Sequence, residues 1–161
     1  MVTEIFIAVG LVVVTAAIHA AGFSALLRVL IRSRALATSG FWPVTGWVIG
    51  LTCWLILIHL VEISVWGRFY LWQGCMPDAE SAFYFSGVIY TSVGDRDLVL
   101  PMAWRMLAPL ETLTGILMCG LSAGLFFALV GRWIGNAMRR KTTSECHSAA
   151  PRENRSPPAT H

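Results

Sequence analysis

Ala82-Phe83-Tyr84-Phe85-Ser86-Gly87-Val88-Ile89-Tyr90-Thr91-Ser92-Val93-Gly94-Asp95-Arg96-Asp97 is the stretch whose reading decides the fold. Its first nine residues are aromatic and amphipathic. The seven that follow form a short polar loop between two long apolar segments. Backbone that is neither helix nor sheet is tolerated at membrane depth only where it is buried in protein or lines a water-filled path. A water-filled path is the reading for Thr91 to Asp97.

The surrounding composition supports a membrane setting. Of 161 residues, 56% are hydrophobic and only 13% charged, far more apolar than an ordinary soluble domain. The formal charge of +3 is small. Its basic residues sit at the ends of apolar runs, not on a stripe interleaved with aromatics, which argues against nucleic-acid binding. Cys53, Cys75, Cys119 and Cys146 show no Cys-x-x-Cys pairing and no His at ligand spacing, so neither a metal nor an intrachain disulfide is expected. A bridge between chains through Cys75 stays open as an alternative to four free thiols.

Three apolar runs are long enough to cross a bilayer. The first, Ile5 to Leu30, is about 39 Å as a helix at 1.5 Å per residue. Its leading segment carries Glu4 in place of basic residues and the run is too long for a secretory core, so a signal peptide is not expected. Arg28, Arg32 and Arg34 at its far end place the next loop in the cytoplasm and the N-terminus outside. The second run, Val44 to Trp66, returns outward, with Trp42 and Trp47 expected in one aromatic belt and Trp66, Tyr70 and Trp72 in the other. A turn at Gly74 and Pro77 follows, and Asp78 is placed to cap a helix over 79–90 that is too short to span. The third run, Leu107 to Trp133, ends near Arg132, Arg139, Arg140 and Lys141, putting the C-terminus inside. The polar stretch 142–161, with its Ser, Thr, Pro and Ala, is expected to be a disordered cytoplasmic tail.

Thr91, Val93, Gly94 and Asp97 resemble the potassium-channel pore signature Thr-x-Val-Gly-Tyr-Gly-Asp, with Ser92 a conservative replacement. Asp95 stands where that family has Tyr, and Arg96 where it has the second Gly. His59-Leu60-Val61-Glu62 also resembles a segment of short bacterial members. The resemblance implies an all-α membrane protein of three transmembrane helices plus a re-entrant pore helix and filter loop. It places an additional helix at 1–34 and a pore domain at 44–135, with outer helix 44–66, pore helix 79–90, filter 91–97 and inner helix 107–133. It also implies a homotetramer in a bacterial plasma (inner) membrane that conducts a monovalent cation, potassium first, with no cofactor and no enzymatic chemistry. Gly115 and Gly120 fall where inner helices of the family bend to gate, although close helix packing explains glycines there as well.

The two filter replacements leave alternatives open. A carboxylate at Asp95 cannot fill the apolar slot of a Tyr ring without burying charge, so size selection is weakened while cation attraction at the mouth is kept. A non-selective sodium and potassium pore, or a non-conducting channel-like subunit, are the competing readings. His59, Glu62 and Glu111 are ionisable residues expected at one depth near the outer face, each a functional candidate by its cost. The expected role is a polar network bracing the pore helix, ahead of a small membrane enzyme. Two carboxylates and one His make an incomplete metal site unless other groups join.

Overall fold

In the computed structural model, residues 2–33, 41–94 and 98–149 are described. Four α-helices and one short 3-10 turn account for the regular structure among them, with no strand. Helix α1 is Val2–Arg32, α2 is Phe41–Trp72, α3 is Ala79–Tyr90 and α4 is Leu107–Ala149. Three of them contain spans apolar enough to cross a membrane, Glu4–Arg32, Trp42–Trp72 and Met102–Asn136. The 12 residues of α3 reach only about 18 Å, well short of a bilayer.

Two helices outrun the apolar segments that announced them. α2 continues past Trp66 to Trp72 because nothing breaks it before Gly74. There the N–H of Gly74 bonds to the Leu71 carbonyl at 3.1 Å and that of Cys75 to the Tyr70 carbonyl at 2.9 Å. Gly74 takes φ +66°, the left-handed stop that glycine adopts without penalty. α4 runs beyond residue 133 to Ala149, through the first part of the stretch expected to be disordered. The segment 136–149 holds neither Pro nor Gly to end a helix, and Pro151 comes only after it. Residues 150–161 of the expected tail lie outside the described residues.

Each long helix turns one stripe inward. Buried positions Ala8, Thr15, His19, Leu26 and Leu30 of α1 recur at steps of seven and four, and Leu51, Leu55, Ile58, Glu62 and Trp66 of α2 follow a similar course. That spacing is the seam of antiparallel packed helices. One apolar cluster joins Leu26, Leu30, Leu51, Leu55, Ile58, Leu129 and Trp133, at the end where Arg28, Arg32 and Arg132 lie. A second, at the opposite end, joins Ala8, Trp66, Phe69, Tyr70, Phe85, Leu100 and Leu107 around α3. The outward sides expose Phe6, Ile56, Leu60, Leu117 and Phe127 in the single chain, so these helices are apolar on more than their inward stripe.

Trp66 and Tyr70 are corrected by this packing. Both are 0% exposed, so they form core and not an interfacial belt, while Trp42 and Trp72 are 79% and 81% exposed. α3 folds back over the end of α2 and covers them, and Tyr70 meets Phe85 edge-on with ring centroids 5.4 Å apart.

Candidate functional site

α3 is held on both sides. Asp78 caps it, its carboxylate accepting from the Ser81 N–H at 2.8 Å, and that bond holds the carboxyl below the ordinary carboxylate range. Gly67 of α2 lets α3 approach, since an added Cβ would meet the Phe83 backbone at 3.2 Å. On the other side, the Thr112 hydroxyl of α4 donates to the Ile89 carbonyl at 3.1 Å. A Cβ added at Gly115 would lie 2.1 Å from the Tyr90 carbonyl oxygen. Backbone therefore packs on backbone at Gly115, where α4 meets the last turn of α3. Gly120, the other position considered for a bend, faces open space within one chain.

The loop leaves α3 through a turn with two left-handed residues. The N–H of Ser92 bonds to Ile89 and those of Val93 and Gly94 both bond to the Val88 carbonyl, at 2.9 to 3.0 Å. This is the helix-ending geometry that usually falls to glycine, yet Ser92 occupies it at φ +63°, and Gly94 follows at φ +73°. A non-glycine residue there costs about 1–2 kcal/mol. The N–H groups of Ser92, Val93 and Gly94 are turned back onto the helix end. The Thr91 hydroxyl likewise donates to Gly87 at 2.7 Å. Thr91, Ser92, Val93 and Gly94 are all exposed in a single chain, Val93 to 76%. Asp95, Arg96 and Asp97 lie outside the described residues. Beyond them Leu100 is buried again, and Trp104 packs on Phe69 with centroids 5.5 Å apart, so the chain is anchored on both flanks of the loop.

The ionisable residues form two clusters where one was expected. In the first, Glu62 is fully buried on α2. It accepts from the Tyr90 hydroxyl and lies 2.7 Å from Nδ1 of His19 on α1. His59 sits beside it, its Nδ1 3.0 Å from the Tyr90 hydroxyl and its Nε2 3.0 Å from the Ser122 hydroxyl of α4. His19 thus ties α1 to α2 and, through Glu62 and Tyr90, to α3, helped by Trp66 Nε1 donating to Thr15 at 3.1 Å. In the second cluster Glu111 of α4 is fully buried and accepts from Tyr70 at 2.6 Å and from Ser86. The two glutamates brace α3 at separate points, Glu62 through Tyr90 and Glu111 through Ser86. Ser86, Tyr90 and Ser122 were not singled out from sequence, and Tyr70 was expected in an aromatic belt. Thr15 and His19 stand on the inward stripe of α1.

No curated protein and no solved structure matches the chain. Residues 56–132 match the family model described as Ion channel. The matched span runs from the middle of α2 through α3 and the loop into α4, so it contains Glu62, Gly94, Glu111 and Gly115. Over those residues the chain is similar to the ion-channel family of membrane proteins, in an all-α chain with three helices long and apolar enough to cross a membrane.

Proposed function

We propose that four copies of this chain assemble around the loop that follows α3 and pass monovalent cations, potassium first, down their gradient without covalent chemistry. The observation that carries the reading is the hand-over from a short, clamped helix to an exposed loop with left-handed residues at Ser92 and Gly94. The C-terminal end of α3 carries the negative end of its dipole, which favours a cation next to it. One chain supplies one such loop, and a ring of oxygens dense enough to replace a hydration shell needs several. The exposure of Thr91 to Gly94 in the single chain is what such a shared ring requires.

The same reading places the N-terminus outside and the C-terminus in the cytoplasm of a bacterial inner membrane. Arg28, Arg32 and Arg132 at one end of the bundle support that orientation. Helix α1 lies outside the family match and packs against α2 and α4, which makes it an extra strut on the pore domain.

A second reading is favoured by Asp95 and Arg96 themselves: a pore that does not separate sodium from potassium, or a channel-like subunit that does not conduct alone. Comparing potassium and sodium permeability of the unaltered protein with an Asp95→Tyr/Arg96→Gly variant decides between them. Higher potassium permeability in the unaltered protein supports the first reading. Equal permeabilities that separate in the double variant support a non-selective pore. Flux that arises only in the variant supports the non-conducting subunit.

A further inference from the structure

We infer that His19, His59 and Glu62 form a binding site for one divalent transition-metal ion of the zinc class per chain, joining α1 to the pore domain. Each residue offers a ligand atom, and the three atoms lie within 4.8 Å of one another. His19 and Glu62 are buried and His59 is partly exposed. Two imidazoles and one carboxylate make a donor set that suits zinc or cobalt, with a fourth position left for water. A tetrahedral zinc site spaces its ligand atoms about 3.3 Å apart when each bond is about 2.0–2.1 Å. His19 Nδ1 is 2.7 Å from one Glu62 oxygen and His59 Nδ1 3.4 Å from the other, so side-chain adjustments suffice.

The surroundings orient the ligands. Ser122 holds His59 by Nε2, on the far side of the ring from Nδ1, leaving Nδ1 turned toward Glu62 and Tyr90. The Tyr90 hydroxyl donates to Glu62 and steadies the carboxylate. Partners of this kind fix tautomer and ring direction around a metal. Nε2 of His19 is fully buried with no hydrogen-bond partner among the described residues, so Nδ1 is the nitrogen of this ring that meets a partner, and it is the one that faces Glu62. An amide side chain would serve the bond to Glu62 as well, whereas only imidazole among neutral side chains of this shape ligates zinc strongly.

This inference goes beyond the conduction reading and is tested by binding, not by flux. The full-length protein is purified in detergent, stripped with a chelator, re-equilibrated with Zn2+, passed over a desalting column and analysed for metal. His19→Asn and His59→Asn, which keep a polar group able to reach Glu62, are treated in parallel, with elution volume and circular dichroism as checks on folding. The expected result is about one zinc per unaltered chain and loss of most of it in either folded variant. An unaltered protein that retains no more zinc than the variants overturns the site, as does full retention by folded His19→Asn. Should the variants not fold, Co2+ bound to the unaltered protein decides. Intense visible bands of a four-coordinate ion support the site, and the weak bands of the six-coordinate aqueous ion overturn it.

Discussion

Replacing Gly115 by Ala is the smallest change that should disturb the machinery around the loop. The new Cβ would stand 2.1 Å from the Tyr90 carbonyl oxygen, 3.0 Å from its carbonyl carbon and 3.1 Å from Cδ1 of its ring. Ordinary contact begins near 3.4 Å, so α3 and α4 must separate by about 1.3 Å at this point. The obstacle is backbone at the end of a helix, so no side-chain rotation relieves it. Overpacking of this kind costs about 1–3 kcal/mol. At about 2–4 °C per kcal/mol for a chain of this size, the apparent melting temperature should fall by several degrees. The shift also moves Tyr90 and with it Thr91, so the first oxygens of the loop lose register and cation flux should fall with stability. Thermal unfolding of the purified protein followed by size exclusion reads the first effect, and flux into liposomes reads the second. Gly120→Ala is the control, because its Cβ meets nothing within 4 Å in one chain. A Gly115→Ala protein with unchanged melting and unchanged flux would refute the close packing of α4 on Tyr90.

Further outcomes follow from the two glutamate clusters and the cap. Tyr70→Phe and Tyr90→Phe each remove a hydroxyl donor from a buried carboxylate, and each should cost about 1–3 kcal/mol. Because Tyr70 serves Glu111 and Tyr90 serves Glu62, the double variant should be additive to within about 0.5 kcal/mol; strong coupling measured by thermal unfolding would rejoin the clusters into one network. Trp66→Phe deletes the indole N–H that reaches Thr15 and should loosen α1, read as faster proteolysis or hydrogen exchange in α1 with α3 unaffected. At Asp78 the folded-state carboxyl titrates below its unfolded value of about 3.9, so the cap's contribution is present above that pH and is lost as pH falls through the lowered folded value. Stability of the unaltered protein and of Asp78→Asn should therefore converge in acid, and a gap that persists there would contradict the cap.

The three crossing helices were legible in sequence because long apolar runs and flanking basic residues are local signals. The short α3 was legible for the same reason, from Asp78 at its start and the polar loop at its end. What escaped was everything that depends on how helices are rotated against one another. Trp66 and Tyr70 sit where interfacial aromatics would sit, and only the folding of α3 over them makes them core. Glu62 and Glu111 looked like one group because depth along a helix axis is readable and direction around it is not. His19 finds its partner in Glu62, 43 residues away, a pairing that no local signal announces. The helical run of α4 to Ala149 went unread because polar composition was taken as disorder, while the absence of Pro and Gly there permits a helix.

Liposome flux tests the central claim most directly. The unaltered full-length protein is reconstituted, an inward potassium gradient is imposed, and cation entry is followed against protein-free vesicles. The account predicts protein-dependent potassium entry, with chloride excluded and Gly115→Ala impaired. Vesicles that contain correctly folded, oligomeric protein and stay impermeable to both potassium and sodium would contradict it.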